Sequence, residues 1–371
     1  MVDTSRYAPD YSVLIGGVDV GKRTDLKNAL KERPVDLLSV TITETVNQAD
    51  TFALTLRSRH RQLERFPNGD ELAWVDDDHL KPGTEVVIEM GYVGNLAVKL
   101  VGTIKAASFS FTESGLINVR VDGQSLYSKL FDRRRRQPFA DKTDSAIAEQ
   151  IAAELKLKSV VDATNVEYPT VSNRDETYAG ILQARANRLY YELTVKEKTL
   201  YFQKPRYLVD SSPAQSLAWG ESLISFSPRI NTNGLVTRVE VRNVRTSHGG
   251  AKEPIIASVG VDDVPARLGK RSGAQIFQAQ FGEKKQLSQD QQVATVEEAA
   301  AIATAQFRSK AIGFIEGQGA TIGNPQIRAR QVIELQKLGK QLTGLYYVTS
   351  STHTIDANGY RTEFQVKRDG I

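Results

Sequence analysis

The C-terminal stretch, residues 323–371, reads GNPQIRARQVIELQKLGKQLTGLYYVTSSTHTIDANGYRTEFQVKRDGI. It parses as three β-strands joined by turns. In the first, Ile327, Ala329, Ile333 and Leu335 share one parity. Arg328, Arg330, Glu334 and Gln336 mostly take the other, and only Gln331 and Val332 break the alternation. The second strand starts at Gly344 and runs through Leu345 to Ile355. Asn358-Gly359 then signals a hairpin, because a type I′ turn needs two residues that tolerate positive φ. The last strand alternates cleanly, with Tyr360, Thr362, Phe364 and Val366 on one face and Arg361, Glu363, Gln365 and Lys367 on the other. Such a sheet packs one face on a core and wets the other. The wet face has two readings: ordinary solvent exposure, or the wall of a water-filled lumen in a ring of subunits. Periodicity does not separate them.

Similar patterns fill the N-terminal third. Residues 11–17 are a short strand, and 18–34 are polar loop. Val40 and Ile42, with Leu38, alternate inward, and Phe52, Leu54 and Leu56 repeat the period after a turn at 47–50. Residues 58–80 are a charged excursion. Residues 85–92, 97–111 and 116–122 are three more strands, and Gly102 marks a bulge or sharp bend in the long one. Six strands without a helix before residue 123 imply a closed or sandwiched antiparallel β domain. The pattern then changes. Asp144 caps a helix carrying Ile147, Ile151 and Leu155, and Thr177 caps a second carrying Ile181, Leu182 and Leu189. Residues 190–195 and 199–203 form a hairpin. Strand patterns return at 223–228 and 235–244, a polar glycine-rich stretch follows to 294, and Thr295-Val296-Glu297-Glu298 opens a helix as a capping box. The expected fold class is mainly β with an α+β part. The expected divisions are 1–124, a first β-barrel; 125–218, a middle α+β unit; and 219–371, a second β-barrel. The last carries an insertion at about 246–320 that packs on the middle unit. The similar strand content of the two ends suggests a weak duplication.

With 371 residues, 40% of them hydrophobic and 25% charged, the composition is that of a globular protein of two or three domains. The net charge of +4 is spread along the chain and does not by itself point to nucleic acid. There is no cysteine, hence no disulfide frame, thiolate metal site or cysteine nucleophile. His60, His79, His248 and His353 fall in no metal-ligand spacing. No signal peptide or membrane span is visible. The stretch GGVDVGKRT at 16–24 lacks the serine or threonine that a phosphate loop needs after its lysine, and reads as a glycine-rich turn. Arg133–Arg136 reads as a solvated loop facing acidic groups, with phosphate binding as the alternative. Asp76-Asp77-Asp78-His79 fits no cation pattern and reads as an exposed loop. No nucleophile motif is present, and His353, beside hydroxyl residues, reads as a hydrogen-bonded structural histidine. No catalytic, cofactor-binding or metal-binding residue is expected.

Three stretches together resemble the late control protein D family of tailed phages, the baseplate hubs of contractile tails. They are also similar to the hub half of type VI secretion spike proteins. The stretches are 38–56, with Phe52, Leu54 and Leu56; 177–202, with Thr177-Tyr178, Ala186, Leu189-Tyr190-Tyr191 and Leu200-Tyr201-Phe202; and 344–364, with Tyr347-Val348, His353 and Gly359-Tyr360. The resemblance implies two tube-like β-barrels plus a smaller α+β domain, assembled as a homotrimer that forms a pseudo-sixfold ring. It implies a structural role without catalysis or cofactor, adapting a sixfold tail tube to a threefold spike. The implied partners are a spike protein, the tube initiator ring, baseplate wedge proteins, and a tape-measure protein or cargo in the lumen. Assembly would occur in the bacterial cytoplasm, on the way into a phage tail, tailocin or related particle. The chain stops at Ile371, so the spike is expected to be a separate protein. Arg361, Glu363, Gln365 and Lys367 are then expected to line or flank the channel. A cell-wall hydrolase and a nucleic-acid- or carbohydrate-binding barrel remain the competing readings.

Overall fold

The computed structural model describes residues 8–20, 37–58, 74–113, 116–134, 137–171, 176–246, 252–289 and 293–371. The glycine-lysine turn at 21–24, most of the excursion at 58–80, and Arg135 and Arg136 lie outside these residues, as do His60 and His248.

The N-terminal strands are β1 (Pro9–Ile15), β2 (Val18–Asp19), β3 (Leu37–Thr45), β4 (Thr51–Ser58), β5 (Glu85–Tyr92), β6 (Asn95–Phe111) and β7 (Ile117–Ser125). Next come α1 (Lys129–Asp132), β8 (Phe139–Thr143), α2 (Asp144–Glu154), β9 (Lys158–Val161), β10 (Glu167–Val171), α3 (Tyr178–Leu189), β11 (Glu192–Lys196), β12 (Thr199–Gln203) and α4 (Arg206–Val209). The remainder is β13 (Gln215–Ala218), β14 (Leu223–Ile230), β15 (Arg238–Thr246), β16 (Lys252–Gly260), α5 (Gly273–Phe281), β17 (Lys285–Gln289), α6 (Val296–Ala311), β18 (Ile315–Ile322), β19 (Val332–Gln336), α7 (Gly339–Leu342), β20 (Gly344–Asp356) and β21 (Gly359–Arg368).

One 13-stranded, mostly antiparallel sheet dominates, in the order β14-β18-β21-β20-β3-β4-β7-β6-β5-β1-β2, with β19 on β20 and β13 on β19. Its strand order repeats. The run β3-β4-β7-β6-β5-β1 has a counterpart in β14-β18-β21-β20-β19-β13, element for element and in the same chain order. One departure is that β1 lies antiparallel to β5 whereas β13 lies parallel to β19. The two runs are joined where β20 pairs β3, from Ser350 opposite Thr45 to Ile355 opposite Val40. Each run has its own core. Ile42, Phe52, Leu54, Ile88 and Val121 fill one, and Leu217, Ile333, Tyr346, Phe364 and Val366 the other.

The sequence patterns hold for the last strand but need correction elsewhere. The strand expected over 327–336 is only β19, because Arg330 at φ 73° turns the chain just before it. Ile327 and Ala329 are nonetheless buried, as loop residues. The final hairpin is not a type I′ turn. Ala357 and Asn358 sit at its tip and Gly359, at φ 106°, supplies the positive dihedral. Gly102 is not the bulge. The register slips between Ile104 and Ala106, and Gly102 is required because a Cβ there would lie 2.3 Å from the Gln124 carbonyl. A bulge between Leu37 and Ser39 puts Leu37 rather than Leu38 in the core. Thr143, not Asp144, caps α2, and Thr177 caps α3 through the Gly180 amide. Thr295 accepts from the Glu298 amide, but the Glu298 side chain turns away to the Ala294 amide, so no reciprocal box forms.

Strand membership differs too. β15, expected in the second β region, pairs with β16 and β17 in a separate three-stranded sheet. Val239, Val241, Ile255 and Val259 of that sheet pack with Ile302 and Phe307 of α6. β18, inside the expected insertion, joins the large sheet between β14 and β21. α6 also meets α3, where Glu298 accepts from Arg188 at 2.8 Å and from the Tyr168 hydroxyl at 2.9 Å.

Phe52 lies directly across from Gly123, and a Cβ at Gly123 would fall 2.2 Å from the phenyl ring and 2.4 Å from the Thr103 carbonyl. Overpacking of that kind costs about 1–3 kcal/mol. Gly123→Ala is therefore expected to lower the unfolding free energy by that amount, read as a lower urea midpoint at unchanged slope, and an unchanged midpoint would refute the close packing.

Candidate functional site

In the eight strands from β14 to β6, alternate residues face away from the two cores. They align in rows across both runs. One row carries Ala320, Glu363, Thr352, Thr43, Thr51 and Gln124. The next carries Ile322, Arg361, Thr354, Thr41, Ala53 and Asp122. Arg361, Glu363 and Gln365 are exposed and Lys367 is half-buried, so none of the four points into its own core.

Three neighbouring charge pairs lie on this face, beside the exposed Arg57 and Arg229. Arg361 meets Glu363 at 3.2 Å, Lys367 meets Glu316 at 2.8 Å, and Arg120 meets Asp122 at 2.9 Å. At the join, hydroxyls bridge the strands: Thr43 to Thr352 at 3.0 Å, Thr45 to Ser350 at 3.0 Å and Thr41 to Thr354 at 3.3 Å. Chemically the face is wet, mixed in charge and rich in short hydroxyl side chains.

Behind the join lies a buried polar cluster. Glu44 on β3 receives both arms of the Arg328 guanidinium, one at 2.6 Å. Lys196 of β11 stands 3.3 Å from the same carboxylate, and Arg328 also donates to the Ala97 carbonyl at 3.0 Å. The cluster thus draws on both sheet runs and on the unit between them. Burial alone would raise the Glu44 carboxyl, but Lys196 and Arg328 overrule it and hold it well below the usual range. Among the described residues Asp50 has no such ion-pair partner, and its carboxylate accepts from the Thr45 amide at 3.3 Å. Burial, then the Glu44 charge, push it up to about 7. His353 is buried, with Nδ1 at 2.8 Å from the Tyr360 hydroxyl and Nε2 at 3.0 Å from the Ile327 carbonyl. Burial, then Arg328, lower it to about 4, so it is neutral at pH 7. A second bridge ties the middle unit to the second run. Arg330 donates to Glu192 at 3.0 Å, and the Tyr347 hydroxyl donates to the other Glu192 oxygen at 2.5 Å. Arg328 and Arg330 were read only as the polar parity of a strand. Nothing in their spacing indicated that both reach buried carboxylates.

The other sequence candidates do not gather. Asp77 caps a short turn by accepting from the His79 amide at 2.8 Å, and its carboxylate also meets the His79 ring at 2.7 Å. Arg133 and Arg134 are exposed. Among the described residues no group of three or more His, Asp or Glu side chains is placed to hold a metal ion, and no helix is long and apolar enough to cross a membrane.

Residues 26–357 match the family described as the Alg8 N-terminal domain, Alg8_N. The chain belongs to that family. No curated protein matches the sequence. Among solved structures, the 43 kDa tail protein of prophage MuSo2 from Shewanella oneidensis superposes with a TM-score of 0.69 at 14% identity, covering 97% of this chain and 98% of that one. The tail protein from Neisseria meningitidis MC58 gives 0.65 at 14% identity over 98% of both chains. The Escherichia coli c3393 protein is described as a type VI secretion component with structural similarity to bacteriophage T4 tail proteins. It gives 0.54 at 9% identity over 91% of this chain and 76% of that one. These chains share a fold with this Alg8_N member. The narrower late control protein D resemblance is not singled out by the matches.

Two expectations follow from the cluster. Truncating one partner of a buried ion pair costs about 3–5 kcal/mol, whereas an exposed pair is worth about 0–1 kcal/mol. Arg328→Ala should therefore destabilise by several kcal/mol in chemical denaturation, and Arg361→Ala by under about 1 kcal/mol; equal losses would contradict this assignment of buried and wet faces. For pH, Asp50 is raised from an unfolded value near 3.9 to about 7 in the fold. Its favourable contribution is complete below pH ~4 and is lost as pH rises through about 7. His353 runs the other way, contributing above pH ~6.5 and losing it toward 4. The difference between Asp50→Asn and the parent cancels the histidine. That difference should grow in favour of the variant from pH 4 to 8, by about 1–3 kcal/mol, and a flat difference would overturn the assignment.

Proposed function

We propose that the chain is the structural hub of a contractile injection particle, such as a phage tail or tailocin. In this reading three copies form a pseudo-sixfold ring that adapts a sixfold tail tube to a threefold spike. The observation that carries it is the repeated strand order in one unbroken sheet with a single wet face. Two like runs per chain, times three chains, give six like wall segments. The shared fold with phage tail and type VI secretion proteins supports the same reading.

Arg361, Glu363, Gln365 and Lys367 then line the channel, with Thr43, Thr352 and their row-mates beside them. Because Arg361, Lys367 and Arg120 each have a carboxylate neighbour, much of the charge on the wall is offset before a passing polymer meets it. That suits conduction of a tape-measure protein or cargo without retention. Spike, tube initiator ring and wedge proteins contact the rims and the outer units. Assembly takes place in the bacterial cytoplasm, and the particle carries the ring outward.

The role is structural rather than catalytic. A glycoside hydrolase needs two carboxyl groups facing each other across a cleft. Two clefts, one beside Tyr207 and Ala311 and one beside Tyr11 and Ile355, carry one carboxylate each, already committed to backbone amides. Asp369 accepts from Arg267 and Leu268, and Asp356 from Asn358.

The test is the size and shape of the assembly. Light scattering should give the mass of three chains, alone or with the spike protein of the same particle. Electron micrographs should show rings with a central opening. A chain that stays single with its spike present, or that clears a cell-wall suspension, would overturn the hub reading.

A further inference from the structure

The two strand runs match in register as well as in order. The slip between Leu37 and Ser39 on β3 recurs between Leu223 and Ser225 on β14. The slip between Ile104 and Ala106 on β6 recurs between Val348 and Ser350 on β20. Aligning the slips sets residue against residue. Val40 corresponds to Phe226, Ile42 to Pro228 and Glu44 to Ile230. Likewise Ala107 corresponds to Ser351, Phe109 to His353 and Phe111 to Ile355.

Within the chain, β20 and β3 close the gap between the runs, with His353 opposite Ile42 and Ile355 opposite Val40. The corresponding edges at the far ends are open among the described residues. Apart from an isolated bridge between Leu223 and Trp219, β14 pairs only with β18, and residues 105–111 of β6 pair only with β7. Both open edges carry exposed apolar side chains: Phe109 is 43% exposed, Phe111 62% and Ile230 47%. Their counterparts His353 and Ile355 are 0% and 2% exposed inside the internal join. A bare strand edge with apolar side chains is a site that another strand will pair with.

We propose that β6 of one copy pairs with β14 of the next in the register of the internal join. On the dry side Ala107 lies opposite Ile230, Phe109 opposite Pro228 and Phe111 opposite Phe226. On the wet side Ser108 lies opposite Arg229 and Ser110 opposite Ser227. The partner is a second copy of this chain, because the template for the contact is the chain's own join. The contact is head-to-tail, so it propagates until the ring closes. Pro228 modifies the seam. The Val46 amide bonds the Thr349 carbonyl across the internal join, and alternate residues point the same way, so the Ile42 amide faces β20. Its counterpart Pro228 has no amide to offer. The seam therefore lacks one ladder bond, and side-chain burial around Phe109 and Phe111 carries it. The same proline discourages pairing with unrelated strands. The seam rests on the ring reading only for the number of copies.

The absence of cysteine makes disulfide trapping clean. Ser108→Cys and Arg229→Cys are made singly and together, with Ser110→Cys/Arg229→Cys as the register-shifted control. Under mild oxidation each single variant should stay uncrosslinked, since a head-to-tail contact never brings a residue to its own copy. An equimolar mixture of the two should give a two-chain product, and the double variant a ladder ending at the closed ring. The shifted pair should crosslink about 10-fold more slowly, because diagonal neighbours lie about 7–8 Å apart. Phe111→Asp, a change at an exposed position, should abolish the ladder. Light scattering on the same samples separates the two claims. A three-chain mass without the Ser108–Arg229 crosslink overturns the seam and leaves the hub. The crosslink with an open or differently sized polymer keeps the seam and overturns the threefold hub. A single chain with neither overturns both.

Discussion

The structure depends on one pairing, that of β20 with β3. It joins residues more than 300 positions apart in the chain, as in the Thr41–Thr354 and Thr43–Thr352 hydroxyl contacts. Without it the two strand runs are separate sheets, each with an edge that must be covered. With it they form one surface whose dry side holds two cores and whose wet side is continuous. Closing so long a loop costs entropy that grows only slowly with length. The greater consequence is kinetic, since non-local strand pairings form late and leave edges bare until they do. The hydroxyl ladder suits that position. It fixes register across the join by short hydrogen bonds while adding no apolar surface to the wet face.

The ionic cluster behind the join serves the same pairing from the dry side. Buried ion pairs are weak evidence for stability, since desolvation offsets much of the attraction. Their use here is geometric. Glu44 belongs to β3, Arg328 to the loop before β19, and Lys196 to β11. A one-residue slip of β20 on β3 would turn Glu44 to the wet face and leave Arg328 buried without it. The cluster therefore penalises wrong registers more than it rewards the right one. Asp50, held near neutrality beside this carboxylate, couples the same region to pH.

How much of this was legible follows from what alternation encodes. In β21 each residue meets either core or water, so parity alone assigned Arg361, Glu363, Gln365 and Lys367 to a wet face. The Thr177 cap and the hairpin of β11 and β12 were readable because they are local. Alternation does not say which sheet a strand joins, and so β15 was assigned to the wrong one. β18 was hidden in the expected insertion because Gly317 and Gly319 interrupt its pattern. Their missing side chains make room for the rings of Phe226 and Phe364. Residues 327–331 mimic a strand because Ile327 and Ala329 are buried at alternate positions, yet they form a loop whose Ile327 carbonyl receives His353. The partners of Arg328 and Arg330 were unreadable because both lie far along the chain, at Glu44 and Glu192.

The repeat explains why the wet face is built from small hydroxyl groups at the join and from charge pairs away from it. At the join, two strands that hold different places in the repeat must fit closely, and threonine and serine fit without steric demand. On β21, β18 and β7 the neighbours are the same in both runs, and longer side chains have room to pair, as Lys367 does with Glu316 and Arg120 with Asp122. Charge pairing along and between strands keeps such a face hydrated while weakening its field beyond a Debye length of about 8–10 Å. A face that bound polymers would need the opposite design, a row of one sign with aromatic platforms between. The rows on the described part of this sheet mix the two signs, with hydroxyl side chains between them.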